Sequence, residues 1–145
     1  KIIGRVKDTI VLRGGENIEP LPIEQRLCES PYIQQAAVVG QDQRYLAALI
    51  VPNQEVLTAW AEENDIPFND YPSLLEQPEV KELINSEINS YISIKNGFKP
   101  FERIYHFALL PSPFEEGREL SAKLDLKRHV INELYADQIR QLFEE

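Results

Sequence analysis

Ile33-Gln34-Gln35-Ala36-Ala37-Val38-Val39 and Tyr45-Leu46-Ala47-Ala48-Leu49-Ile50-Val51 flank the polar stretch Gly40-Gln41-Asp42-Gln43-Arg44. Two apolar runs of strand length on either side of a short loop of turn-forming residues predict an antiparallel hairpin. The second run is continuous rather than alternating, which predicts a strand covered on both faces and therefore the centre of the sheet.

Working outward toward the N-terminus, Thr9-Ile10-Val11-Leu12 reads as a short strand, and Arg13-Gly14-Gly15-Glu16-Asn17 as a tight turn in which paired glycines permit positive φ. Pro20-Leu21-Pro22-Ile23-Glu24 opens a helix of two to three turns, since proline suits a first helical turn. Ile23 and Leu27 form an apolar i, i+4 pair, and Ser30-Pro31 is the expected stop.

Toward the C-terminus, Asn53 suits an N-cap for a helix that reaches about Asn64, with Val56, Leu57 and Trp60 on one face. Residues 66–78 hold three prolines and read as an irregular loop. Val80, Leu83, Ile84, Ile88, Tyr91 and Ile92 recur at helical spacing, with Gly97 as the expected terminator. Residues 104–110 read as a strand and 111–118 as a loop. Apolar residues from Val130 to Phe143 predict one terminal amphipathic helix. The fold class is α+β, a small antiparallel or mixed sheet with flanking helices, preceded by a short strand segment.

At 145 residues and 43% hydrophobic content, the chain is the size of one ordinary domain. Its net charge of −9, from 24 acidic and 15 basic side chains, repels a phosphate backbone and argues against a nucleic-acid partner. No apolar run approaches the length of a membrane span, and a lone Cys28 permits no internal disulfide, so a cytoplasmic setting is the expectation. The sequence opens at Lys1-Ile2-Ile3-Gly4 without methionine and reads as an internal piece of a longer protein.

Generic site chemistry is sparse. His106 and His129 lack ligand-spaced partners, so no metal site is expected. Cys28, in a helix with no neighbouring histidine, reads as a buried packing residue rather than a nucleophile. Glu62-Glu63 and Glu115-Glu116 are adjacent pairs that point apart and read as solvated surface.

The informative stretch runs from Gly4-Arg5-Val6-Lys7-Asp8-Thr9 through Arg13-Gly14-Gly15-Glu16-Asn17-Ile18-Glu19-Pro20. It resembles the segment that joins the large and small domains of adenylate-forming enzymes. Residues 31–33, 38–52 and 98–104 resemble the long-chain fatty acyl-CoA synthetase branch of that superfamily. The resemblance implies a hinge and linker end at residues 1–8 and a C-terminal lid domain at 9–145. It implies a longer protein that uses ATP, Mg and coenzyme A, with nothing bound by this piece alone. The implied partners are an N-terminal adenylation domain of the same chain and coenzyme A or an acyl carrier protein; peripheral membrane association of the longer protein is compatible with it.

Residue by residue, the resemblance puts Lys7 and Asp8 at the hinge, Arg5 near the nucleotide ribose, and Gly14 and Gly15 beside the pantetheine channel. One departure stands out. In Glu119-Leu120-Ser121-Ala122-Lys123-Leu124-Asp125-Leu126-Lys127-Arg128, Asp125 occupies the place of the family's adenylation lysine. At 4 Å and an effective dielectric of 20, that reversal changes an interaction with an anion by roughly 8 kcal/mol before solvent relaxes it. If the segment is extended, residues 123, 125 and 127 project to one side, making Lys123 the first and Lys127 the second candidate substitute. The alternative is a noncatalytic binding module on the same fold, with the adenylation lysine lost.

Overall fold

The computed structural model describes residues 8–144. A small hairpin pairs β1 (Ile10–Val11) antiparallel with β2 (Asn17–Ile18). Between them Gly15 sits at φ +94°, donating its amide to the Leu12 carbonyl, while Gly14 does not require the left-handed region. The first helix, α1 (Pro20–Leu27), follows directly and ends three residues before Ser30.

The main sheet contains β3 (Ile33–Val39) and β4 (Leu46–Pro52), paired antiparallel as their apolar runs predict, and β5 (Ile104–Leu109), which runs parallel to β4. The order β3-β4-β5 puts β4 in the centre. A parallel pair cannot be joined by a tight turn, and the crossover is made by α2 (Gln54–Glu63), α3 (Tyr71–Leu74) and α4 (Pro78–Tyr91). Asn53 caps α2 by accepting the Val56 amide at 3.2 Å.

Every residue of β4 is buried. Leu46, Ala48 and Ile50 face a core shared with the β1–β2 hairpin, α1 and the crossover helices, where Ile18, Ile23, Leu57, Ile84 and Ile88 are nearly inaccessible. Leu49 and Val51 face a second core with Leu110, Phe114, Leu120 and Ile131. The period-two alternation of a strand therefore sends consecutive residues into two apolar layers, which is why β4 lacks polar positions.

Four expectations need correction. The 66–78 region contains α3, closed by a capping box in which Asp70 accepts the Ser73 amide and Ser73 Oγ accepts the Asp70 amide. Tyr91 ends α4; Gly97, at φ +92°, terminates the following 3-10 turn, Ile94–Asn96, instead. The terminal segment is two helices, α5 (Arg128–Leu134) and α6 (Ala136–Leu142), broken at Tyr135. Cys28 is exposed, one residue beyond the helix end, with Sγ 3.6 Å from the Gln34 carbonyl oxygen.

Candidate functional site

α1 lies against β3, an outer strand of the main sheet whose unpaired amides need partners. Glu24 provides one: its buried carboxylate accepts the Val38 amide at 2.7 Å. The same carboxylate meets Arg128 end-on, Nη1 to Oε2 at 2.8 Å and Nη2 to Oε1 at 2.7 Å. Arg128 Nε lies 3.4 Å from Asp8 Oδ1. Burial pushes the Glu24 carboxyl above its ordinary pKa, and the contacts with Arg128 and the Val38 amide offset part of that.

The segment before Arg128 is shaped by Glu119, which is fully buried. Its carboxylate accepts from Arg118 Nη2 at 2.9 Å, the Tyr135 hydroxyl at 2.5 Å and the Glu115 amide at 3.0 Å. Desolvation favours the neutral acid, but these donors outweigh it and hold the pKa down at about 2. The Lys127 amide donates to the Glu119 carbonyl at 2.7 Å, so both ends of residues 119–127 are drawn together.

The tip between them is a turn, which corrects the extended reading of residues 123–127. Ser121 donates its amide to the Asp125 carbonyl, and Ser121 Oγ accepts the amides of Lys123 and Asp125 at 3.2 and 3.1 Å. Leu124 is left-handed at φ +67° and its side chain is 62% exposed. Strand alternation does not operate here, so a common direction for Lys123, Asp125 and Lys127 does not follow from spacing. Lys123 and Asp125 are exposed at the tip, while Lys127 is half-buried at the start of α5.

Asp8, Leu124, Asp125 and Arg128 line one open groove of about 310 Å³, together with Cys28 and Gln34. The structure thus brings Asp8 and Asp125, the two residues that the resemblance singled out for a hinge and for a substituted lysine, onto one surface. Gly14 and Gly15 are exposed at the tip of the β1–β2 hairpin and do not line that groove. A Cβ on Gly15 would meet nothing within 4 Å, so backbone conformation alone requires glycine there within this chain; at Gly14 it would come within 2.8 Å of the Glu16 carboxylate. Arg5 and Lys7 lie outside the described residues.

The described part of the groove does not fit a bound phosphate. The carboxylates of Asp8 and Asp125 face it, and its one cation, Arg128, is committed to Glu24. Among the described residues no group of three or more His, Cys, Asp or Glu is placed to hold a metal ion, and no helix is long and apolar enough to cross a membrane. The pairing of Arg128 with Glu24 beside the groove is not readable from the sequence; 104 residues separate them and no local pattern joins them.

Comparison with known proteins gives consistent results. The family described as AMP-binding enzyme C-terminal domain matches residues 7–145. Long-chain-fatty-acid–CoA ligase FadD15 of Mycobacterium tuberculosis is 31% identical over 98% of this chain and 24% of its own length. The chloroplastic long-chain-fatty-acid–[acyl-carrier-protein] ligase AEE15 of Arabidopsis thaliana is 58% identical over 52 residues, 36% of this chain and 7% of that protein. The crystal structure of the adenylation domain of a carboxylate reductase from Mycobacterium chelonae superposes with a TM-score of 0.78 at 25% identity, covering 97% of this chain and 20% of that one. The chain therefore spans a quarter or less of the length of these proteins.

Proposed function

The chain belongs to the AMP-binding enzyme C-terminal domain family, and from that premise we propose that it is the mobile domain of an ATP-dependent long-chain fatty acyl-CoA or acyl-carrier-protein synthetase. In that protein it closes over a site on an N-terminal adenylation domain for adenylation, then turns for thioester formation. The family match along nearly the whole chain carries the reading, and the two ligases, one named for coenzyme A and one for a carrier protein, support the substrate class.

A small domain serves two half-reactions at one site only by presenting two faces in turn, which needs a hinge. Lys7 and Asp8 are assigned that role, Arg5 a contact with the nucleotide, and Gly14 and Gly15 the wall of the pantetheine channel. ATP, with Mg, supplies the activating group and coenzyme A the thiol; the nucleotide and acyl pockets belong to the larger domain. Lys123, exposed at the turn beside Asp125, is the first substitute for the missing lysine and Lys127 the second.

Asp125 also favours a second reading, a noncatalytic module that keeps the fold and engages a partner domain or carrier protein. A decisive experiment measures ATP–pyrophosphate exchange and thioester formation by a longer protein carrying this chain, by that protein without it, and by the chain alone. The proposal expects both activities only in the first. Equal activity with and without the chain would establish the noncatalytic reading, and turnover by the chain alone would overturn the assignment of the main site to the larger domain.

A further inference from the structure

Arg128 stands where chain segments far apart in sequence meet, and its two contacts are unequal. Toward Glu24 it makes a bidentate, charge-assisted pair with a side chain that is 5% exposed and is itself held by the Val38 amide of the sheet. Toward Asp8, whose side chain is 28% exposed, its Nε lies at 3.4 Å. That Nε is buried, yet among the described residues it has no partner within hydrogen-bonding geometry. Two short parallel bonds in a desolvated setting hold far better than a longer contact that water and salt reach.

We propose that Arg128 is a positioning residue that acts as a releasable clasp: Glu24 fixes it to the body of the domain, and it sets the direction in which the chain leaves at Asp8. This rests on the hinge reading of Lys7 and Asp8 and deepens it by naming what holds one hinge state. When the Asp8 contact parts, Arg128 keeps its Glu24 pair, so no buried charge is stranded and the domain body is undisturbed. A weaker anchor would lose the arginine with the hinge. Because Asp8 and Arg128 also wall the groove that carries Asp125, the clasp couples the hinge direction to the shape of that surface.

The test uses NMR on the 145-residue chain, reading backbone order at Thr9 and Ile10, solvent exchange of the Arg128 Nε proton, and protection of the Val38 amide. Asp8→Asn, or about 0.5 M NaCl, should lower order at Thr9 and speed the Nε exchange by about fivefold, leaving Val38 protection within about twofold. Arg128→Lys should also lower order at Thr9, because an ammonium satisfies Glu24 as a point charge but has no second nitrogen to offer Asp8. Glu24→Gln should abolish both the N-terminal order and the Val38 protection.

Unchanged order at Thr9 in both Asp8→Asn and Arg128→Lys overturns the clasp. So does loss of Val38 protection in Asp8→Asn, since the two contacts would then be one structural unit. In the longer protein, Asp8→Asn should alter pyrophosphate exchange and thioester formation unequally. If the NMR results hold but the two half-reactions stay unchanged, the clasp stands as a local contact and the hinge reading is what fails.

Discussion

Tyr135 donates its hydroxyl to Glu119 Oε2 across 2.5 Å, so the residue at which the terminal helix breaks is also a fastening for the loop that carries Asp125. Glu119 has its pKa lowered from 4.5 to about 2, so the stabilisation from its ionised form is full above pH 4.5 and is lost as pH falls toward 2. Urea unfolding followed from pH 6 to pH 2 should show a steeper acid loss in the wild type than in Glu119→Gln. Tyr135→Phe should cost about 1–3 kcal/mol at neutral pH by leaving a buried carboxylate one donor short. Parallel pH profiles for wild type and Glu119→Gln would contradict the assignment.

Leu49 is fully buried in β4 and faces the core formed with the C-terminal helices. Leu49→Ala should lower unfolding stability by about 2–5 kcal/mol through lost burial and the cavity left behind. A loss under about 1 kcal/mol in denaturant titration would mean that this layer collapses around the gap.

Leu124 combines a left-handed backbone with an exposed side chain, so it carries conformational strain with little burial to offset it. Leu124→Asn, a residue that tolerates this region, should raise stability by about 0.5–1 kcal/mol. Thermal unfolding checks the sign; destabilisation would show that the Leu124 side chain holds the groove wall together.

Gly15 is required by its φ of +94° rather than by crowding. Gly15→Ala should destabilise the chain by about 1 kcal/mol. In the longer protein it should impair thioester formation more than pyrophosphate exchange, and the reverse preference would remove the channel role.

Asp125→Lys tests directly, in the longer protein, whether this position serves adenylation. If the position is merely unserved, Asp125→Lys should raise pyrophosphate exchange and Lys123→Ala should do little, because a preorganised positive group would be restored where charge develops. If Lys123 already serves, Lys123→Ala should reduce exchange sharply and Asp125→Lys should add little. No effect from either substitution in an active protein removes the loop from the adenylation site.

The sheet was legible because its signals are local: the unbroken apolar run of β4, the turn residues before it, and the Asn53 cap after it. The break at Tyr135 was not legible, since the apolar spacing continues through it and the partner that fixes the residue, Glu119, lies in the preceding loop. Cys28 misled for a similar reason: composition favours burial, whereas its exposure follows from where α1 stops. The resemblance singled out Asp8 and Asp125 as candidates, but their shared groove exists only once Arg128 crosses to Glu24 and Ser121 closes the tip.

β4 serves as the common wall of two apolar layers, one holding the N-terminal hairpin and crossover helices, the other the C-terminal helices. Among the described residues, one half cannot slide past the other without unseating both layers from the same strand. Any reorientation of the described residues therefore carries both layers along with β4 as one piece.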